Sequence, residues 1–433
     1  NKLNDYNNGA LIGRIFNGES IEINDNLEFI SKNSGPLFLR MNVYNFIEKN
    51  YPCGELKLKI TGAQYIKSYE EIDSKIGWNK KITTCYAMFK EISVSKIDFS
   101  YFDSSEVLST SYMFYKCNKL EEINFGSFDT SSIVDMSLMF LGCSMLTSLN
   151  LSSFKIPKVK NLYNLFAYCG NLENIDISNF NTVSVVNRSS MFFYCEKLKT
   201  INLSHFKTPS LDSMKGLFEG CSSLTSFDIS NFDTSRVQYF TSLFNRCSSL
   251  KYINLNNLNT SNAIDMRWMF SGCKELTSVE ISQLDLSKAI TIGSIFAGCE
   301  KLEKINFNTS YKLSLLEDIN ALFSGCKSLK SLDLTFFDIS QIKYFDNIFY
   351  NCENIQYINL SNFNFSSVIK MNNTFNGCKS LKILNIFSFT ENTSLALSDT
   401  FKGINDLIYC IQDSYKTQKI NDALNQINSI NNC

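Results

Sequence analysis

The residues best suited to chemistry in this chain of 433 residues are its fifteen cysteines. Eleven of them end a short phrase such as MF-x-x-C, and they follow one another at intervals of 26 residues, once 27: Cys117, Cys143, Cys169, Cys195, Cys221, Cys247, Cys273, Cys299, Cys326, Cys352 and Cys378. A thiol can be a nucleophile, a metal ligand or half of a disulfide. Each of these lies three residues after a phenylalanine, and a single row cannot supply tetrahedral zinc ligation. We therefore expect buried, free thiols.

The other four cysteines lie outside this row. They are Cys53 and Cys85 near one end of the chain and Cys410 and Cys433 near the other. Of the three possible connectivities, pairing within each end is the one that does not join distant parts of an elongated molecule. The sequence predicts two disulfides, Cys53–Cys85 and Cys410–Cys433, and with them an oxidising, extracellular setting.

Residues that could support catalysis are scarce. The single histidine, His205, lies just past a predicted strand, and we interpret it as a solvated surface residue. No second histidine is present for a relay or a metal site, and the chain has no nucleophile elbow, phosphate-binding loop or HExxH motif. The sequence therefore argues against an enzyme and predicts no catalytic residue, cofactor or metal site.

A row of polar residues occupies the position that strand alternation directs outward. In twelve successive repeats this residue is Asn or a carboxylate: Asp98, Asn124, Asn150, Asp176, Asn202, Asp228, Asn254, Glu280, Asn306, Asp333, Asn359 and Asn385. One interpretation is a self-hydrogen-bonded ladder that solvates the sheet; the other is a groove for a glycan or peptide. Asp176, Asp228 and Glu280 alternate with Asn, so we expect them about 10 Å apart, at or beyond the limit for an acid–base pair, which disfavours a calcium or acid–base site.

The candidate binding face consists of the row members that are not glycosylation sequons: Asp98, Asn124, Asp176, Asp228, Asn254, Glu280, Asn306, Asp333 and Asn385. The chain has nine sequons, at Asn150, Asn187, Asn202, Asn259, Asn308, Asn359, Asn364, Asn372 and Asn392. Their number matches chance, but Asn187 beside Arg188 and Asn308 at a one-residue insertion are expected to be exposed and open to modification.

The elements that position these residues follow from the pattern of one repeat. After Cys117 the apolar residues are Leu120, Ile123, Phe125, Phe128, Ile133, Met136, Met139 and Phe140, and Cys143 begins the next turn. Alternation in the first half predicts a short strand. Spacings of three, three, one and three in the second half predict a short helix, with Thr130–Ser131 or Thr234–Ser235 at its N-cap. One such unit cannot bury its apolar face alone, so the units must stack.

The phrase L-x-x-I-N-L-S-x-F-D-T-S-x-V-x-x-M-x-x-M-F-x-x-C resembles the 26-residue variant of the BspA-like surface-protein leucine-rich repeats, from about Met88 to Ile404. The resemblance implies a secreted or surface-exposed, non-enzymatic protein with a role in adhesion or partner binding. Ile92 and Ile404 replace the cysteine in the first and last turns, and Arg188 replaces an apolar residue.

The predicted fold class is α/β, a leucine-rich-repeat solenoid with a parallel β-sheet on one face, short helices on the other, and a cap at each end. Residues 1–86 are predicted to form a mainly β cap, 87–404 about thirteen repeats, and 405–433 a C-terminal cap with a strand or turn and then an amphipathic helix. The formal net charge of −1 and the lack of a basic stripe make nucleic acid a poor partner. No apolar run is long enough for a transmembrane segment. The start at Asn1 fits a mature chain that has lost a signal peptide.

Two functions remain open at this point. The chain could be an extracellular interaction module for a protein or glycan partner. It could instead be a structural glycoprotein that assembles with copies of itself into a filament or surface coat, because a heterologous contact that does not close gives a fibre.

Overall fold

The computed structural model describes residues 83–99, 102, 104–209, 211–229, 232–307, 313–335, 337, 340–412 and 418–431, together with the backbone of six strands before residue 83. The chain forms two compact units, Asn1–Lys207 and Thr208–Cys433. Within each unit, short coils stack on one another through parallel β-bridges. Each unit therefore contains the predicted leucine-rich-repeat solenoid with its parallel sheet.

The first unit contains ten strands among its described residues. They are β1 (Leu11–Arg14), β2 (Ser20–Ile23), β3 (Glu28–Ile30), β4 (Leu37–Met41), β5 (Lys59–Thr61), β6 (Ile66–Lys67), β7 (Lys96–Asp98), β8 (Glu122–Asn124), β9 (Ser148–Asn150) and β10 (Asn174–Asp176). Strands β4, β6, β7 and β8 are parallel neighbours in one sheet, and β1 joins β4 and β2 in antiparallel fashion. The sheet of the repeats thus extends into the segment predicted as a mainly β cap.

The second unit contains nine strands among its described residues. They are β11 (Ser226–Asp228), β12 (Tyr252–Asn254), β13 (Ser278–Glu280), β14 (Lys304–Asn306), β15 (Ser331–Asp333), β16 (Tyr357–Asn359), β17 (Ile383–Asn385), β18 (Leu407–Cys410) and β19 (Ser429–Asn431). Strands β15 to β19 form one parallel sheet in chain order. A 3₁₀ helix (Phe365–Ser367) and one α-helix, α1 (Gln418–Leu424), complete the described elements. The tail therefore has the predicted strand and helix, followed by β19.

The three-residue strands follow directly from the repeat length. Ser148, Leu149 and Asn150 pair with Asn174, Ile175 and Asp176, so residues 26 apart stand side by side. The central residue points into the core and the two flanking residues point out, as in Leu149 between two exposed neighbours. The period-2 alternation of the sequence thus becomes one buried and two exposed columns.

The second half of each coil is a series of turns and not a helix, which corrects the prediction. Met113 N–H bonds the Thr110 carbonyl and Cys117 N–H bonds the Phe114 carbonyl, both three residues back, whereas Phe114 N–H bonds Met139 in the next coil. Tyr112 and Lys116 have φ of 59° and 55°, and each following coil likewise has a pair of left-handed residues four positions apart. A helix cannot continue through such residues. The predicted apolar spacing is confirmed, but alternate backbone N–H groups in this segment donate to carbonyls of the next coil.

The predicted N-cap threonines have another role. Thr234 is buried, its hydroxyl donates to the Asn259 carbonyl at 2.9 Å, and it accepts from Asn259 N–H at 2.8 Å. Thr182 makes the same pair of bonds with Lys207. Because one hydroxyl satisfies a donor and an acceptor of the next coil, threonine here joins coils and caps no helix.

Phenylalanine columns fill the core. In the first unit, the rings of Phe89, Phe114, Phe140, Phe166 and Phe192 stack with centroids 5.5 to 5.7 Å apart. In the second unit, the column runs Phe218, Phe244, Phe270, Phe296, Phe323, Phe349, Phe375 and Phe401. Each ring packs against its own equivalent, so each coil gains most of its apolar burial from its neighbours.

Candidate interaction surfaces

The cysteine row is part of the core. All eleven of its members are buried free thiols, as predicted. The Sγ of Cys169 donates to the Phe140 carbonyl of the preceding coil at 3.1 Å, and the same carbonyl accepts from Cys143 N–H. Burial raises the pKa of Cys169 and Cys299 to about 12. A thiol that stays protonated and buried is a poor nucleophile and a poor metal ligand.

The predicted Cys53–Cys85 disulfide is wrong. Cys85 is a buried free thiol, and burial raises its pKa to about 12. Its N–H bonds the Ser109 carbonyl of the next coil, as Thr110 N–H bonds Asp135 in the coil after it. Cys85 therefore occupies a core column of the stack, and its thiol faces inward. Cys53 lies outside the described residues.

Of the second predicted disulfide, Cys410–Cys433, the structure describes Cys410. Cys410, the last residue of β18, is disulfide-bonded. Its predicted partner, Cys433, lies outside the described residues, so the pairing of the two stays a prediction.

The outward polar row is built from turns within each coil. The side-chain oxygen of Asn150 accepts the N–H of Ser152 at 3.0 Å, and Asp176, Asn254 and Asn385 make the same bond to the residue two positions on. Such Asx turns end a strand and direct the chain into the next corner. These bonds run along the chain within one coil, whereas the bond from the Asn306 amide to Glu280 joins neighbouring coils. The side chain of Asp98 is not described.

Two carboxylates of this row, Asp176 and Glu280, accept further hydrogen bonds. The N–H and hydroxyl of Ser178 lower the pKa of Asp176. Glu280 accepts from the Asn306 amide at 2.8 Å and from the Ser282 hydroxyl at 3.1 Å. No group of three or more His, Cys, Asp or Glu residues that could hold a metal ion occurs in the part of the chain that the structure describes.

Seven sequon asparagines adopt one conformation. Asn150, Asn187, Asn202, Asn259, Asn359, Asn364 and Asn392 each accept the N–H of the residue two positions later. Asn372 differs, because the hydroxyl of Thr374 in its sequon is fully buried within 2.7 Å of the Phe345 and Met371 carbonyls. That hydroxyl cannot be reached in the folded chain. Asn187 is exposed as predicted, and Asn308 lies outside the described residues.

Two polar residues lie deeper than the sequence suggested. Arg188 is 1% exposed, in the core column that holds Met136 and Leu162 in the two preceding coils. Its guanidinium donates to the carbonyls of Thr182 at 2.7 Å and Lys207 at 3.3 Å. His205 is half-buried against Phe206, and its Nε2 is enclosed, so it is not the solvated residue that we expected.

Sequence reasoning missed a set of exposed aromatic residues on the turn side of the coils. In the first unit these are Tyr86, Tyr163 and Tyr168, and in the second unit Tyr239, Trp268, Tyr344 and Tyr350. Tyr168 stacks on Tyr194 with ring centroids 5.6 Å apart. The sequence feature that could have predicted them is their position, because they lie at non-core positions of the repeat, where the core does not require a large ring.

The repeat array defines a leucine-rich-repeat type of protein. The family model described as "Mycoplasma protein of unknown function, DUF285" matches residues 83–202, 189–309 and 317–432, well over half of the chain. The chain belongs to this family. No curated protein matches.

Among solved structures, the chain is similar to a leucine-rich cell surface protein from Faecalibacterium prausnitzii A2-165, with 19% identity, a TM-score of 0.31, and coverage of 82% of this chain and 91% of that one. It is also similar to TLR13 in its complex with ssRNA13, with 13% identity, a TM-score of 0.20, and coverage of 78% and 54%. None of the helices in the described ranges has the length and apolarity needed to cross a membrane.

Proposed function

We propose that the chain is a non-catalytic, extracellular or cell-surface protein with BspA-like 26-residue repeats that acts as an interaction or adhesion module for protein or glycan partners. The observation that carries this proposal is where the thiols and the polar side chains lie in each coil. The thiols are buried in the core, whereas the outward polar row lies at fixed spacing on short, paired strands. Such a surface suits recognition, because little side-chain or backbone order must be gained on binding.

An extracellular location is supported by the bonded state of Cys410, since disulfides persist in oxidising compartments. The Cys410–Cys433 pairing and glycans on the exposed sequons belong to the same proposal. Peptide mapping of the unreduced chain tests the pairing, and a peptide that joins Cys410 to any cysteine but Cys433 would contradict it.

The binding role is tested with the full chain on a panel of extracellular matrix proteins and printed glycans. The variant Asp228→Lys/Asn254→Lys places two cations on adjacent strands, because the two residues pair in the β11–β12 register. Loss of a bound partner in this variant, with an unchanged melting temperature, supports the outward row as the binding face. Retained binding moves the contact to another surface, and a folded chain that binds nothing on the panel contradicts the interaction role.

The alternative is a structural glycoprotein that assembles into a filament or coat, and one observation favours it. Tyr357, Ile383, Ile408 and Ile430 are exposed and pair in register across β16 to β19. Ile430 is 65% exposed on β19, the last strand of this sheet among the described residues. An apolar row on an edge strand favours association with another copy. Sedimentation at rising concentration tests it: assembly that Ile430→Lys abolishes supports the alternative, and monomers throughout exclude it.

A further inference from the structure

Trp268 is an exposed indole on the turn side of the second unit. It is 41% exposed and has a φ of 57°, a left-handed conformation that costs free energy for a bulky residue. The equivalent residues in the next two coils are small, Ser294 and Ala321. One face of the indole therefore has no large neighbour along this column. A bulky aromatic residue gains nothing for the core from this position, so its role must lie at the surface.

The neighbouring Arg267 is held in a fixed orientation. Its Nε donates to Asp265 Oδ1 at 3.1 Å and its Nη2 donates to Asp265 Oδ2 at 2.7 Å. The centre of the guanidinium lies 5.3 Å from the centroid of the Trp268 ring. A paired guanidinium beside an aromatic ring loses little further side-chain entropy when it donates to a ligand.

A second carboxylate, Asp318, lies two coils after Arg267. The next coil has Gly293 at the position of Arg267, and a Cβ placed there would come within 2.9 Å of Asp318 Oδ2, so the carboxylate fills the space that the glycine leaves. Asp318 accepts from the Thr291 hydroxyl at 3.0 Å and from Asn320 N–H at 3.0 Å. Its negative charge acts on Arg267. The surface thus presents an aromatic face, a fixed donor and a fixed acceptor across three successive coils, which are joined by the bridges Asp265–Thr291 and Thr291–Asp318.

This set of groups selects one ligand chemistry. Two carboxylates disfavour an anion, and no metal-binding cluster exists in the described ranges. The backbone N–H and carbonyl of Trp268 are bonded to Gly293 and Ser271, so no free edge remains there for a peptide strand. A pyranose ring has an apolar C–H face for the indole and hydroxyl groups that both donate and accept. We propose that Trp268, Arg267 and Asp318 bind one ring of a neutral glycan.

The inference rests on the proposed interaction role but concerns a different surface from the outward row of the sheet. The test uses the full chain on a printed array of neutral glycans, compared with Trp268→Ala and Trp268→Phe. We expect binding to at least one glycan, a loss of about tenfold or more in Trp268→Ala, worth about 1.4 kcal/mol, and retention in Trp268→Phe. The matched control is Tyr252→Ala, which removes an aromatic ring that is 62% exposed on the sheet face.

A second measurement reports on the site directly. The chain has two tryptophans, Trp78 and Trp268, so Trp78→Phe leaves Trp268 as the sole indole. Titration with the methyl glycosides of glucose, galactose, mannose and N-acetylglucosamine should give a saturable change in its fluorescence, with a Kd on the order of millimolar for at least one of them.

Three results would overturn the inference: no glycan bound on the array, equal binding by the wild type and Trp268→Ala, or a flat fluorescence response to all four glycosides. Loss of binding in Tyr252→Ala but not in Trp268→Ala would also overturn it. If the chain binds protein partners on the panel but no glycan, the proposed function stands and this inference fails.

Discussion

At the scale of single residues, the molecule places cysteine and threonine side chains inside and pairs them with backbone groups of a neighbouring coil. Cysteine suits its column because the thiol packs as a small apolar group and its S–H reaches a second lone pair of a phenylalanine carbonyl. Threonine suits its column because one hydroxyl serves both an N–H and a carbonyl. Arg188 is the exception, since it brings a cation into a column of apolar side chains.

Arg188→Met should raise the free energy of unfolding by about 1 to 4 kcal/mol, because a buried guanidinium costs desolvation that a thioether does not. The two carbonyls it contacts keep other donors, Val185 N–H on Thr182 and the Thr182 hydroxyl on Lys207. Chemical denaturation of the variant measures the change. Exposed Arg236 is the control, and Arg236→Met should change stability by about 0.5 kcal/mol or less. A less stable Arg188→Met would show that the cation stabilises the coil.

At the scale of the element, the coil depends on residues that accept a left-handed backbone. The position before the cysteine has positive φ in coil after coil, and glycine occupies it at Gly142, Gly220, Gly272, Gly298, Gly325 and Gly377. These residues interrupt what the apolar spacing would otherwise make a helix, and they release alternate N–H groups toward the next coil.

Gly298→Ala should therefore lower stability by about 1 kcal/mol or more. Its Cβ would have room, with the nearest atom at 3.6 Å, so the cost is one of backbone conformation at a φ of 72°. Gly170→Ala is the matched control, because a Cβ there meets nothing within 4 Å and its φ is not in the left-handed region. Thermal melting compares the two. Equal effects would mean that the left-handed position does not limit coil stability.

At the scale of the whole molecule, equivalent thiols in successive coils share the same buried environment, so their effects on stability add. Burial raises the pKa of ten thiols, to about 12 for five of them and well above 9.0 for the others. In the unfolded chain the same thiols would ionise near their ordinary value. The folded state therefore holds more protons than the unfolded state in alkali.

The sign of the pH dependence follows. Each thiol leaves stability unchanged below pH 9 and lowers it by up to about 1.4 kcal/mol per pH unit between 9 and its raised pKa. We expect cooperative unfolding within about one to two units above pH 9, followed by circular dichroism. Cys273→Ala should reduce the slope of stability against pH by the contribution of one thiol. At neutral pH, alkylation of the native variant should stay negligible, because the remaining free thiols that the structure describes are buried. Stability that stays constant to about pH 11 would contradict this prediction.

The sequence by itself determined the repeat, the buried thiols and the outward row, because a 26-residue period with fixed apolar positions leaves one way to stack the coils in register. It could not reveal the turns, since helix-like spacing also fits a coil in which two residues four positions apart are left-handed. Nor could it place Cys85, Arg188 or Trp268. Their burial or exposure depends on which column of the stack each residue joins, and a column exists only once neighbouring coils pair through their backbones.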